Sequence, residues 1–497
     1  MNSASPAGDA TVLLTGATGY VGGRLLSRLK DKGLRIRCLV RRLEEFEGQG
    51  TERVEFVQGD LLDPGSLRAA LEGVEVAYYM VHAMGSGPDF EALDQQAATN
   101  FAQAAKVAGV KRIIYLGGLG DESESLSPHL RSRHEVGRLL KDSGSTVLEL
   151  RASIILGTGS LSFELIRALV ERLPIMITPR WVRVEAQPIL ITDVLAYLVA
   201  ALDLPQTQSQ VFEIGGADRC TYGDLMNAYA KQRGLRRWMI GVPFLTPHLS
   251  SLWLGLITPL YARVGRKLIG SIRNPTVVQS DAARTAFPEI EPLGLEAAMA
   301  QVLEAEDASV AQTRWCDAVS AGGQHVRQAA PKSGTRFLDQ RSLVVAASAH
   351  AAFAPIRKIG GTRGWYCGTW LWRVRGFIDL LVGGVGLRRG RRDPDHLRVG
   401  EPLDFWRVEA LEPDRRLVLR AEMKLPGKAW LEYQVEPEGE GSRIHQTAIF
   451  DARGVLGRLY WWAVFPLHAW IFSGMLAGIA RRALEEHASA EAARTGS

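Results

Sequence analysis

Thr11-Val-Leu-Leu-Thr-Gly16-Ala-Thr-Gly19-Tyr-Val-Gly22-Gly23-Arg-Leu25 is the stretch on which the reading of this chain turns. Val12 to Leu14 is a short apolar run of the kind that forms a buried strand. Three glycines follow in the spacing G-x-x-G-x-x-G, and then Leu25, Leu26 and Leu29 recur at helical intervals. Strand, glycine turn and helix together make a cradle for a dinucleotide pyrophosphate. Glycine allows the tight turn and lets the backbone approach the phosphates, and the helix N-terminus offers N–H groups and a favourable dipole. The loop residues Gly16, Thr18, Gly19, Tyr20, Val21 and Gly22 are therefore the first candidate cofactor contacts.

Downstream the chain alternates strands and helices. Arg35–Val40 reads as a second strand ending in Arg41-Arg42, and Val54–Val57 as a third, leading into Gly59-Asp60-Leu61. A helix from Pro64 to Leu71 precedes a fourth strand, Glu75 to His82. A helix around Leu93 to Ala108 leads to a fifth, Arg112–Leu116. This rhythm implies a doubly wound parallel sheet. In such folds an acid at the end of the second strand binds the adenosine ribose and selects NAD, whereas arginine accommodates the extra phosphate of NADP. Arg41 and Arg42 stand there, which points to NADP (NADPH) over NAD.

At 497 residues the chain needs at least two cores. A hydrophobic content of 46% and a charged content of 23% describe a globular protein. The net charge of +5 is dispersed apart from Arg388-Arg389-Gly-Arg391-Arg392, which reads as a solvated loop; with no stacking aromatics beside it, nucleic acid is not a partner. Cys38, Cys220, Cys316 and Cys367 show neither C-x-x-C nor metal spacing, so a reduced, cytoplasmic protein without a metal site is expected. Two apolar stretches, 242–264 and 461–480, are broken by Pro or His; they read as lipid- or ligand-facing helices, consistent with peripheral membrane contact, and not as straight spans.

These residues resemble the atypical, extended short-chain dehydrogenase/reductase superfamily, whose N-terminal domain is an NAD(P)-binding Rossmann fold. The resemblance rests on the glycine loop, Gly59-Asp60-Leu61, Tyr79-Met-Val-His82, Tyr115-Leu-Gly-Gly-Leu119, Leu150–Gly157 and Pro188–Val194. It covers roughly residues 10 to 310. Within the superfamily the chain is most similar to the nucleoside-diphosphate-sugar epimerase-like branch that includes the nucleotide-binding accessory subunit of respiratory complex I. The resemblance implies that Asp60 and Leu61 lie beside the adenine. It also implies a Ser or Thr after the fifth strand and Tyr-x-x-x-Lys on the next helix, the general acid/base pair of active members. Here those positions read Gly117-Gly118 and His129-Leu-Arg-Ser-Arg133. Two replacements are open: His129 in the tyrosine's place with Arg133 as cofactor ligand, or His82, at the end of the fourth strand beside the nicotinamide, as the proton donor.

After an Ala/Gly/Ser-rich linker, 311–336, the rhythm changes to alternating strands over 404–411, 416–423, 429–435 and 442–450, closed by a long apolar helix from about Leu456 to Glu485. This part is similar to the helix-grip fold of the START-like, polyketide cyclase-like superfamily, an α+β domain that holds apolar ligands. Leu425–Glu432 and Gly457-x-x-Tyr460-Trp also resemble a domain of unknown function often fused to atypical reductases. Trp365, Trp370, Trp372, Trp406, Trp430, Trp461 and Trp462 are candidates to line its cavity, though large aromatics are core residues first.

The expected architecture is thus a Rossmann domain with an apolar substrate-side extension over 1–325 and a helix-grip domain over 326–497. The expected activity is an NADP(H)-dependent oxidoreductase acting on a hydrophobic carbonyl or quinone-like molecule. The competing reading, encouraged by the missing Ser and Tyr-x-x-x-Lys, is a catalytically silent NADPH-binding regulatory or assembly module.

Overall fold

The structure, a computed structural model, describes residues 11–46, 50–82, 89–122, 125–241, 274–307, 335–381, 384–386, 390–439 and 441–495. The chain divides into two compact units, Met1–Gln324 and His325–Ser497. The apolar stretch 242–272, with Trp253 and Tyr261, lies outside the described residues, as do 311–334 of the linker.

In the first unit, seven parallel strands lie in the spatial order Gln210–Ile214, Thr146–Ala152, Arg112–Gly118, Val74–Tyr79, Thr11–Thr15, Arg35–Val40, Val54–Gln58. Both faces are covered, which is why the strands are apolar throughout and do not alternate. Leu14, Ile36, Ile114 and Leu150 belong to one core cluster with Val194 and Phe212. Leu13, Ala77, Ile113 and Tyr115 belong to the other, with Phe101 and Leu140. Strand order reverses between Thr11–Thr15 and Val74–Tyr79, and the carboxyl ends at such a switch point are where doubly wound sheets bind ligands. The fourth strand stops at Tyr79, short of the expected His82. The Thr15 hydroxyl donates to the Tyr78 carbonyl at 3.0 Å and accepts from the Met80 amide at 3.0 Å. A side chain of the first strand thereby draws the chain out of the ladder.

The second unit is a six-stranded antiparallel sheet. Thr335–Val345 lies beside Gly441–Ala452, followed by Gly427–Glu438, Arg416–Ala421, Trp406–Glu412 and Pro402–Leu403. Helices Ala349–Arg357 and Thr369–Leu381 separate its first two strands, and helix Gly454–Thr495 follows its last. Arg336 is not linker but strand, bidentate to Asp451 across the ladder at 2.6 and 2.8 Å. Trp461 stacks on Phe337 and Phe450 and pins the long helix to the sheet. Trp365, Trp372 and Trp406 form one buried cluster around Phe405, whereas Trp370 and Trp462 face outward. The seven tryptophans therefore do not share one cavity.

The basic run is not a solvated loop in its described part. Arg391 donates to the carbonyls of Ile359 and Arg357 at 2.8 and 2.7 Å, and Arg392 lies 3.1 Å from Glu401. Carbonyls at the end of helix Ala349–Arg357 draw Arg391 inward, and the Glu401 carboxylate draws Arg392.

Two expected outcomes follow from these contacts. A methyl group at Gly22 would sit 2.2 Å from the Gly16 carbonyl oxygen, backbone that has nowhere to go. Gly22→Ala should cost about 1–3 kcal/mol in denaturant unfolding. In the second unit, burial holds His468 down to about 4, against the opposing pull of Asp339, whose Oδ2 lies 3.2 Å from its Nδ1. The folded chain thus keeps this ring neutral where the unfolded chain protonates it. Stability is intact above about pH 6.5 and falls as pH drops towards 4, by up to about 3 kcal/mol. His468→Gln should flatten that part of the stability–pH curve.

Candidate functional site

The site is built where the first and fourth strands end. Gly16 has φ +70°, and a side chain there would meet the Met80 carbonyl at 2.6 Å. The turn closes with the Gly19 amide donating to Gly16 at 2.9 Å, and Gly19 stands at the N-cap of helix Tyr20–Asp31 with no side chain occupying the cap. The helix start therefore faces its surroundings with backbone alone, as an anion cradle requires. Thr18 and Val21 are half-buried beside it. Tyr20 packs against Gly157, where any side chain would meet its hydroxyl at 2.2 Å. Arg24, stacked 4.1 Å over the Tyr20 ring, donates to the Thr158 carbonyl at 2.9 Å. The Gly157–Gly159 loop is thereby fastened to the glycine-loop helix.

Around this cradle the remaining candidates take distinct places. Leu39 is in register with Thr15, so Arg41 and Arg42, two and three residues on, emerge next to the glycine turn; Arg41 is exposed and Arg42 half-buried. Asp60 accepts from the Leu62 amide at 3.0 Å and shapes its own turn. Leu61 is buried, and its carbonyl accepts from Asn100 at 2.9 Å. Arg133 folds back onto the fifth strand, its guanidinium donating to the Leu116 carbonyl and lying 5.1 Å from the Tyr115 ring centre, while the Tyr115 hydroxyl donates to the Arg133 carbonyl.

His82 and His129, read from sequence as alternatives, are joined. His82 Nε2 and His129 Nδ1 are 3.1 Å apart, and the other nitrogen of His82 lies 2.7 Å from Asp94 Oδ2. Ser132 donates to the same carboxylate oxygen at 3.0 Å. Three elements set this geometry. Strand Val74–Tyr79 delivers His82. Helix Phe90–Ala108 supplies Asp94 on its buried stripe of Phe90, Ala97, Ala98 and Phe101. Helix Pro128–Lys141 presents His129 in its first turn, with Pro128 ahead of it and the Ser127 hydroxyl accepting from the Leu130 amide. A carboxylate buried to 4% exposure and 2.7 Å from the imidazole fixes the orientation of the ring. Asp94 and Ser132 are absent from the sequence reading, although a carboxylate on an apolar helical stripe was a visible signal.

The place of the absent serine is filled from below. A side chain at Gly117 would lie 3.0 Å from Glu149 Oε1, and one at Gly137 would lie 2.4 Å from Glu149 Oε2. Glu149 is fully buried and held by Arg151 at 2.7 Å, which also reaches Glu122 at 2.7 Å. His134 sits 2.9 Å from the Gly118 carbonyl, and burial foremost holds its basicity below the usual histidine range. Among the described residues no group of His, Cys, Asp and Glu could hold a metal ion.

Comparison with known proteins locates this geometry. The NmrA-like family model matches residues 8–243, and that of a protein family of unknown function (DUF2867) matches residues 332–475. The chain is 30% identical to (4-alkanoyl-5-oxo-2,5-dihydrofuran-3-yl)methyl phosphate reductase of Streptomyces griseus, over 42% of this chain and 69% of that protein. It is 29% identical to ceramide reductase of Caulobacter vibrioides, over 47% and 73%. With photosystem II assembly factor Ycf39 of Cyanophora paradoxa it shares 25% over 47% and 72%. A solved structure, Citrobacter sp. triphenylmethane reductase complexed with NADP(H), superposes with a TM-score of 0.49 at 22% identity, over 59% of this chain and all of that one. The matched region holds the glycine cradle, the parallel sheet and both histidines, and through it the chain belongs to the NmrA-like family of NAD(P)-binding, short-chain dehydrogenase/reductase-like proteins.

Proposed function

We propose that the protein is an NADP(H)-dependent reductase of a hydrophobic carbonyl or quinone-like molecule, in which the Asp94–His82–His129 chain supplies the proton. The observation that carries this reading is that chain itself: three titratable groups in hydrogen-bond sequence at the carboxyl end of the fourth strand, next to the glycine cradle. The cradle fits a dinucleotide by its shape, since Gly16, Gly19 and Gly22 leave backbone alone where phosphates approach. Arg41 and Arg42, with no carboxylate at that strand end, favour the phosphorylated ribose. When bound, the dinucleotide supplies a hydride. His129 gives a proton to the substrate oxygen as the carbon becomes reduced, and His82 passes a proton to His129 Nδ1 through its Nε2. Asp94 remains ionised, orients His82 and stabilises the single positive charge shared by the two rings. Arg133 braces the fifth strand in this reading instead of holding the ribose, because Leu116 and Tyr115 engage its guanidinium.

The apolar substrate class draws support from two relatives that are named reductases, one of them of ceramide. The second unit fits a helix-grip, START-like reading: its first strand pairs with its last, two helices follow the first strand, and one long helix covers the sheet. The Tyr433 hydroxyl and Gln446 Oε1 are buried on its inner face without a hydrogen-bond partner among the described residues, as polar atoms awaiting a ligand are.

A silent NADPH-binding assembly module is the second reading. Glu149 crowds position 117, where the usual serine would stand, and Ycf39 is named an assembly factor.

NADPH oxidation over a panel of quinones and long-chain aldehydes separates the two. The reductase reading expects turnover that falls about 10²–10⁴-fold in His129→Gln, the range for loss of a general acid. Asp94→Asn should fall less, with NADPH affinity unchanged in both. Arg41→Ala/Arg42→Ala should weaken NADPH binding more than NADH binding. Tight NADPH binding with no oxidation of it across the panel would establish the silent module.

A further inference from the structure

The geometry points to a membrane-docking face on the second unit, formed by helix Gly454–Thr495 with helix Thr369–Leu381 and selective for anionic bilayers. The long helix is apolar on two sides. One side, with Trp461, Ile471, Phe472, Met475 and Ile479, is buried against the sheet. The other exposes Val455, Leu459, Trp462, Leu467 and Trp470, with side chains 45–64% accessible. No Asp, Glu, Lys or Arg occurs from Leu459 to Ala480, so the exposed stripe from Leu459 to Trp470 runs uncharged for about 17 Å at 1.5 Å per residue.

Helix Thr369–Leu381 extends the stripe. Trp370, Val374, Phe377 and Ile378 recur at helical spacing and are 47–63% exposed. Gly368 at its start comes within 3.7 Å of the Trp470 ring, measured from where its side chain would begin. Patches of this kind mark interaction sites on soluble proteins.

Charge identifies the occupant. Arg453 and Arg458 stand at one end of the uncharged run and Arg481 and Arg482 at the other, while Arg373 is exposed among the aromatic residues of the shorter helix. Arg482 is paired with Glu485 at 2.7 Å; Arg453, Arg458 and Arg481 are exposed. An apolar strip with tryptophans in it and cations at both ends suits the headgroup boundary of an anionic bilayer, where indole rings settle and arginines meet lipid phosphate. The helix is long and apolar enough to cross a membrane, yet part of its apolar stretch is buried within the protein. Packed on its sheet by Trp461, it offers the bilayer one side only, which makes the contact planar and not transmembrane.

The test is flotation of the full-length chain with phosphatidylcholine vesicles and with vesicles carrying phosphatidylglycerol. The wild-type protein should float with the anionic vesicles and far less with the neutral ones. Trp462→Glu/Trp470→Glu should lose flotation while keeping the wild-type melting temperature and NADPH affinity. Arg458→Gln/Arg481→Gln should reduce partitioning about thirtyfold on anionic vesicles. The proposal is overturned by absence of flotation, or by flotation that survives both double variants. It is equally overturned if sedimentation shows a dimer that Trp462→Glu/Trp470→Glu dissociates while no vesicles are bound, since a second copy would then cover the face.

Discussion

Everything in the N-terminal unit hangs on a backbone-to-backbone contact. Gly22, in the first turn of its helix, lies against the Gly16 carbonyl, and Gly16 lies against the Met80 carbonyl at the end of the fourth strand. No side chain fits at either point, so the helix start, the glycine turn and the end of the fourth strand are locked at contact distance. Thr15 adds the polar half of the lock by bridging Tyr78 and Met80. The consequence is chemical as well as structural. His82, two residues beyond Met80, is held beside the phosphate cradle by the same contacts that shape the cradle. The glycine turn and the segment that carries His82 are thus parts of one joint, and a side chain at either glycine would disturb both.

The loss of the customary serine is a packing result. Glu149 and Arg151 form an ion pair in the interior through Oε1, while Glu149 Oε2 is buried without a hydrogen-bond partner among the described residues. Space for it comes from Gly117 and Gly137, which cannot carry side chains without striking the carboxylate. Arg151 in turn reaches Glu122, whose acidity this hydrogen bond strengthens. With Glu149 in the interior, a side chain at position 117 would press against its carboxylate at 3.0 Å. In the reductase reading proposed above, the proton comes instead from His82, just beyond the fourth strand, and His129, in the first turn of helix Pro128–Lys141.

How much of this was legible in the sequence depends on whether the signal was local. The glycine spacing, the apolar strands and the parallel order are local or periodic features, and they match the observed sheet. The histidines were visible as residue types, but their hydrogen bond joins positions 47 apart in the chain, a distance no periodicity encodes. Asp94 sits on the buried stripe of its helix, where a carboxylate is costly unless paired; only the fold shows that His82 and Ser132 pair it. In the second unit the strand Thr335–Val345 escaped detection. It follows linker-like composition, and Leu338, Leu343 and Val344 are exposed along it, which blurs the alternation that marks a half-buried strand.

The long helix shows why hydrophobicity alone cannot assign a location. A helix apolar on every side is ordinarily a core helix or a membrane span. This one is divided: Trp461, Phe472 and Met475 complete the core of an antiparallel sheet, and Trp462 and Trp470 look outward from the same turns. The sheet side argues against a span, since withdrawing the helix into a bilayer would unstack Trp461 from Phe337 and Phe450 and expose the sheet's inner face. The outer side argues against an ordinary core helix, because nothing described covers it. The two faces together are what the interfacial position proposed above would satisfy.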